Sequence, residues 1–355
     1  MKKLLVCVAA LGMLFTSCMR DEARLDEGSV VSFKISAPAV STRAAIEDTY
    51  GTGVAGEELH WAIFEADENG DAVGDVIFED VVSDFFADGT LENTFNVRLV
   101  KGKSYVGMFW AQAKDAPYKV AWPEVTIGDV KSNDENLDAF FNIHNFSITA
   151  GQDTGEQQVE LRRPFAQLNV AIPATDLEAA KAAGFELAKT GVSLEAAKSL
   201  NLVTGLVGAA EEVTYALTDI PTGVTATLDG TEYQLISFNY VLVDGDAWSP
   251  ETDEGQELKT ITFNYGTADE TLSQTFSSIA VERNHRTYIV GSLLSETVDF
   301  RVIILPDWED PYYLNNMEAG SIEMVAEQTA PNNAAMGSAT LTWNAVEGAE
   351  YYGVE

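Results

Sequence analysis

Short runs in which apolar and polar residues alternate fill this chain from residue 29 almost to residue 305, and that period of two restricts its fold more than any other feature. Val31, Phe33 and Ile35 alternate with Ser32, Lys34 and Ser36, the pattern of a strand with one face in a core and the other in water. Residues 59–64 read as a second strand. The Asp67-Glu68-Asn69-Gly70-Asp71 segment reads as a hairpin turn, because Asn-Gly between two β-rich runs suits a turn whose central residues both take positive φ. Val76-Ile77-Phe78 is its returning arm, and further runs at 94–99, 103–111, 118–121, 125–127, 140–148 and 159–162 continue the series with polar turns between them. Strands resume at 191–194, 200–203, 213–217, 235–243, 260–264, 271–276, 287–294 and 298–305. One segment departs from the pattern. Thr175-Asp176-Leu177-Glu178 has the form of a capping box, and the Ala-rich stretch up to Gly184 predicts a helix of about nine residues inserted between strands. The fold class expected is all-β, built as sandwiches.

The N-terminus has a different character. Lys2 and Lys3 precede an apolar run from Leu4 to Phe15, too short to span a bilayer, and Thr16, Ser17 and Cys18 follow. A basic start, a short apolar stretch and small residues at its end make a secretory signal over residues 1–17. Because the small residues run straight into a cysteine, the segment resembles a lipobox, in which Cys18 is acylated and becomes the new N-terminus. The only other cysteine, Cys7, lies inside the leader, so no disulfide framework is available and stability must come from packing. Residues 18–28 read as a polar tether. Its Met19-Arg20-Asp21-Glu22 start resembles the export tag that sends lipoproteins of the Bacteroidota to the outer face of the outer membrane.

The chain carries 21 basic and 56 acidic residues, a net charge of −35. Removing the two leader lysines leaves 19 against 56, net −37. Such a surface repels nucleic acid and anionic headgroups, so membrane contact is expected through the lipid on Cys18 alone. An apolar fraction of 46% with 10% aromatics excludes general disorder. On length, two domains are expected, at 29–162 and 163–310.

Chemistry finds little support in the sequence. The three histidines His60, His144 and His285 stand apart from one another, and neither H-E-x-x-H, C-x-x-C nor G-x-S-x-G occurs. The acidic turns at 67–71 and 244–246 lack the frame of a calcium loop. The expectation is a non-enzymatic protein with no cofactor and no metal site. Aromatic residues are the remaining lead. Trp61 and Trp110 lie inside apolar runs and read as core, whereas Trp122, before Pro123, and Trp248, before Ser249-Pro250, lie at loop edges and are the candidates for glycan contact.

Four segments together resemble the fimbrillin-like lipoproteins of the Bacteroidota, which build type V pili: Ser41-Thr42-Arg43-Ala44, the strand and turn from Leu59 to Gly70, the stretch from Leu161 through Arg162-Arg163-Pro164-Phe165 to Val170, and that from Val281 through Arg283-Asn284-His285-Arg286 to Leu294. The resemblance covers roughly residues 29 to 310. It implies two tandem transthyretin-like β-sandwich domains in a stalk subunit, anchor or tip adhesin, with other fimbrial subunits and host protein or glycan ligands as partners. It also implies cleavage by an arginine-specific protease between Arg43 and Ala44. That cut removes the first strand and opens a groove that a neighbour's strand fills, satisfying edge backbone groups and apolar surface at once. Val302, Ile304 and the tail residues Leu341, Trp343 and Ala345 are the candidate donors.

Residues 311–355 depart from that family. After a linker, Ala339-Thr340-Leu341-Thr342-Trp343 and Tyr351-Tyr352 resemble the second and third strands of a fibronectin type III module, of which the given sequence holds only a part. The reading is a lipid-anchored protein of the cell outer membrane, surface-exposed, that assembles by strand addition. The alternative is a carbohydrate-binding surface lipoprotein serving a glycan uptake system, which would have no use for a removable first strand before Arg43.

Overall fold

The computed structural model describes residues 28–37, 56–86, 92–150, 155–228, 230–244, 255–294 and 299–305, with the paired stretches 327–328 and 339–340. These residues form an all-β molecule with a single short α-helix.

In the N-terminal half, β1 (Gly28–Ser36) lies between β4 (Glu92–Val100), with which it is antiparallel, and β9 (Glu156–Glu160), with which it is parallel. A four-stranded antiparallel sheet packs against this one, in the order β3 (Ala72–Val82), β2 (Glu58–Ala66), β5 (Lys103–Gln112) and β8 (Phe140–Ile148). The alternation read from the sequence sorts its side chains. Leu59, Trp61, Ile63, Tyr105, Phe109, Phe140 and Phe146 face β1 in one core, whereas Ala62, Phe64, Val106, Met108, Trp110 and Phe141 join a second core shared with the C-terminal half. The central strands β2 and β5 are therefore buried on both faces, which is why β5 shows no exposed residue after Lys103.

The C-terminal half repeats the arrangement on a larger scale. A five-stranded sheet runs β14 (Thr225–Leu228), β15 (Thr231–Leu242), β10 (Phe165–Pro173), β18 (Arg286–Ser292) and β19 (Asp299–Leu305). As with β1, the first strand of the half, β10, has an antiparallel neighbour on one side (β15) and a parallel one on the other (β18). The facing sheet is β13 (Ala210–Asp219), β11 (Lys189–Ala197), β16 (Gly255–Gly266) and β17 (Thr271–Glu282). The two halves are stitched together by a small fifth sheet. In it the hairpin of β6 (Tyr118–Ala121) and β7 (Glu124–Ile127) pairs with β12 (Ser199–Asn201) from beyond the midpoint of the chain.

Two local expectations are corrected. The helix α1 (Ala174–Ala182) has the expected length, but it begins one residue before Thr175. Its N-cap is Pro173, no side chain caps it, and the capping box is not formed. The fixed φ of proline suits a chain leaving a strand for a helix turn, so Thr175 falls within the first turn. The C-terminus does end as expected, with Gly184 at φ +93° and Phe185 donating its N–H to Ala180 O. The β2–β3 turn is also differently built. Gly70 donates to Asp67 O at 3.2 Å, and of the two residues expected at positive φ only Gly70 takes it, so the central pair is Glu68-Asn69 and Gly70 follows as the left-handed residue. Asp67 Oδ1 accepts the N–H groups of Asn69 and Asp71, and these bonds hold its carboxyl below the usual carboxylate range.

Candidate functional site

The first strand is held as a plug. Val31, Phe33 and Ile35 are fully buried, while Val30 on the opposite face is 55% exposed. Phe33 sits in an aromatic slot, its ring centroid 5.1 Å from Phe146 and 5.8 Å from both Trp61 and Phe109. Edge-to-face and tilted contacts at these separations are the favoured arrangements. At the rim Lys34 Nζ lies 2.9 Å from Glu92 Oε2, a hydrogen-bonded pair that raises the lysine's pKa. Leu161 donates to Ser36 O at 2.8 Å, tying the end of β1 to the segment after β9. Taking β1 away would leave the inner edges of β4 and β9 unpaired above an apolar slot.

A second feature lies where the halves meet. Arg163 makes a bidentate pair with Asp138, Nε to Oδ1 at 2.7 Å and Nη2 to Oδ2 at 2.9 Å, with both side chains essentially out of water. The guanidinium also lies 4.5 Å from the centroid of the Phe140 ring. Burial pushes the Asp138 carboxyl up, against the opposing pull of Arg163 and Arg286. Nearby, Tyr240 donates to Glu135 Oε2 at 2.8 Å and Gln167 to the Tyr240 hydroxyl at 3.2 Å. Arg283 donates to Val243 O and to Gly205 O, at 3.2 and 2.9 Å. A buried and fully partnered ion pair fixes one arrangement of its surroundings, because breaking it strands a charge in a low dielectric. The arginines lie in two of the four segments that carry the family resemblance, but nothing in their spacing pointed to a shared polar centre.

A third feature is an open cleft of about 620 Å³ between the edge strand β3 and the tip of the β6–β7 hairpin. Trp122 and the cis-linked Pro123 form the two-residue turn of that hairpin, and Trp122 reaches the cleft while resting partly on the shared core. Glu79 and Asp80 of β3 and His60 of β2 also line it. His60 Nε2 stands 3.8 Å from Glu58 Oε2, and burial lowers its pKa despite that carboxylate.

Of the site residues expected from the sequence, Trp122 is in this cleft, and Trp61 and Trp110 are core at 2% and 1% exposure. Cys18, Arg43, Ala44 and Trp248 lie outside the described residues, as do the leader, the tether and most of the tail. His60 and His144 sit on strands β2 and β8 and His285 in the turn before β18. Among the described residues no group of three or more His, Cys, Asp and Glu side chains could hold a metal ion, and no helix is long and apolar enough to cross a membrane. Gly51-Thr52-Gly53-Val54-Ala55-Gly56 has the G-x-G-x-x-G spacing, but it leads into β2 rather than from a strand into a helix, so it lacks the setting of a dinucleotide loop.

Comparison with known proteins places these features in context. A family model described as a family of unknown function (DUF6562) matches residues 26–331. No curated protein matches the sequence. Among solved structures, the chain is similar to the tip fimbrial protein Mfa3 of Porphyromonas gingivalis, with C-terminal truncation. The identity is 13% and the TM-score 0.44, over 78% of this chain and 99% of that one. A fimbrial assembly protein of Parabacteroides distasonis is similar at 14% identity and a TM-score of 0.43, with the same coverage of each chain.

Proposed function

The chain belongs to the DUF6562 family, a family of unknown function, and from its own residues we propose that it is a non-enzymatic surface lipoprotein of fimbrillin type that works through strand exchange at β1. In this reading Cys18 carries the lipid and holds the protein on the outer membrane, facing outward. Residues 29–162 and 163–310 are its two sandwich domains, and 311–355 form a linker and a partial fibronectin type III-like segment. Its partners are other fimbrial subunits and host protein or glycan ligands.

The observation that carries the reading is the place of β1 in the sheet. It comes first after the tether, it is the middle strand between β4 and β9, and it buries Val31, Phe33 and Ile35 completely. The Arg43-Ala44 bond, whose sequence an arginine-specific protease would recognise, follows it by a few residues. A strand so placed can leave as one unit, and another apolar strand can restore both its ladders and its core contacts. Cleavage at Arg43 and lipid on Cys18 exclude one another on the same finished subunit, because the cut releases the anchored piece. The protein therefore has two fates: cut, it joins a stalk; uncut, it keeps β1 in its sheet and serves as anchor or tip.

N-terminal sequencing of the cell-surface form, with and without an arginine-specific protease, tests this. A start at Ala44 together with SDS-resistant ladders supports the stalk. An acylated Cys18 start supports the anchor or tip. A surface form that begins at neither residue, or a Cys18→Ser variant that still labels with palmitate, removes the proposal.

A further inference from the structure

The cleft and the strand beside it have a use that the β1 slot does not supply. We propose that the outer edge of β3, together with the cleft under Trp122, binds an extended polypeptide segment of another protein in which apolar residues alternate with Lys or Arg.

β3 ends its sheet, and no described strand pairs with its outer edge over eleven residues. Such edges are ordinarily protected by Lys, Pro or brevity. This one has no Lys or Pro and is not short, although a bulge at residues 74–77 interrupts its ladder with β2 so that its regular stretch is Phe78–Val82, and it exposes Val73 at 42%, Ile77 at 47% and Val81 at 52%. Beyond the bulge, Glu79 and Val81 share one face of the strand by alternation. The only charges it carries are acidic, Asp75, Glu79 and Asp80. Acids on a chain of net charge −35 repel a second copy of the same chain but attract a cationic strand, so the edge is closed to self-association and open to a basic partner.

The cleft explains what a basic side chain would gain there. Val81 on one wall and Val120 on the other flank the methylene stem of a Lys or Arg. Its cationic head then meets the Glu79 and Asp80 carboxylates and the Trp122 ring, which offers cation–π attraction. Val81 now donates its N–H to Asp80 Oδ1 at 2.9 Å. An added strand's carbonyl can take over that N–H and free the carboxylate for the incoming cation. The inference does not depend on the fate of β1, which belongs to the opposite sheet.

Fluorescence anisotropy of the full chain with a labelled ten-residue peptide of alternating lysine and valine tests it. Controls are the same peptide interrupted by two prolines, a glutamate–valine peptide, and unlabelled maltohexaose and chitohexaose as competitors. Saturable binding to the lysine–valine peptide alone is expected, about three- to tenfold weaker in Glu79→Gln/Asp80→Asn. Trp122→Ala should weaken it by at least about threefold. Val81→Lys, at an exposed position, should abolish it while leaving the thermal melt unchanged. Equal binding of the proline-interrupted peptide would reduce the effect to bulk charge and overturn the proposal. So would unchanged binding in Trp122→Ala and Val81→Lys, or displacement of the labelled peptide by maltohexaose or chitohexaose.

Discussion

Replacing Phe33 by alanine probes whether β1 is held by its aromatic slot. The side chain has no exposed surface and touches three rings, with centroids between 5.1 and 5.8 Å away. Truncating a buried phenylalanine costs about 3–5 kcal/mol through lost transfer energy and the cavity left behind. Each aromatic pair is worth about 0.5–1.5 kcal/mol beyond area, so a site with three of them belongs in the upper part of that range, about 4–5 kcal/mol. Against total stabilities of about 5–15 kcal/mol this is a large fraction. With a urea slope of about 3 kcal/mol per M, the unfolding midpoint should fall by about 1.5 M. Val30→Ala on the exposed face of the same strand should change stability by about 0.5 kcal/mol or less, which controls for general effects on β1. Urea unfolding followed by tryptophan fluorescence measures both. If Phe33→Ala shifts the midpoint no more than Val30→Ala does, β1 is not plugged into the core and the strand-exchange argument loses its physical basis.

Three further outcomes follow from the geometry. Arg163→Met should cost about 3–5 kcal/mol by stranding the Asp138 carboxyl, and the Asp138→Leu/Arg163→Met double variant should recover most of it in the same urea assay; equal losses in both would mean that the pair does not act as a unit. Gly266→Ala should destabilise by about 1–3 kcal/mol, because its Cβ would lie 1.9 Å from Glu270 O in the β16–β17 turn, a clash only backbone movement relieves; an unchanged melting temperature would refute the tight turn. His60 has a folded pKa below its ordinary 6.5, so the unfolded chain takes up the proton more readily, and stability present above about pH 6.5 is lost as the pH falls through the folded value; Tm measured between pH 7.5 and 5.5 should fall less steeply in His60→Gln, and identical slopes would exclude that contribution.

The strands with one wet face were legible in the sequence because alternation is a direct print of burial. Val31, Phe33 and Ile35 are buried as their spacing required. Legibility failed where both faces are covered. Phe165–Pro173 is a central strand buried at every position but the last, its polar Gln167 and Asn169 included, so there the polar residues do not mark a wet face. Thr225–Leu228, four residues between glycines, is too short to show any period. Trp122 was recognisable as a loop-edge aromatic from the proline after it, but Glu79 and Asp80 looked like ordinary solvated acids. Their meaning depends on a hairpin some forty residues further along the chain, which no local pattern can report. Asp138 and Arg163 were hidden for the same reason, since a charge inside a core announces itself only when its partner is known.

The choice of donor strand can now be argued from cost. For Val302 and Ile304 to fill a neighbour's slot, β19 must first leave its ladder with β18, which runs from Arg286–Leu305 to Ser292–Asp299. Phe300 would also give up its contact with Phe276, at 4.8 Å between ring centroids. Edge contacts of that extent are lost before any are gained, and exchange through β19 would unfold part of the donor's own five-stranded sheet. The alternating tail residues Leu341, Trp343 and Ala345 lie outside the described residues. If the slot left by β1 is filled by a copy of this chain, donation through β19 carries that cost, and a truncation separates β19 from the tail as donor. Removing residues 306–355 should abolish SDS-resistant ladders after arginine-specific cleavage while leaving the urea midpoint of the uncut protein unchanged. Ladders that survive the truncation would return the role to β19 or to a different subunit, and a lowered midpoint would mean that the tail packs on its own sandwiches.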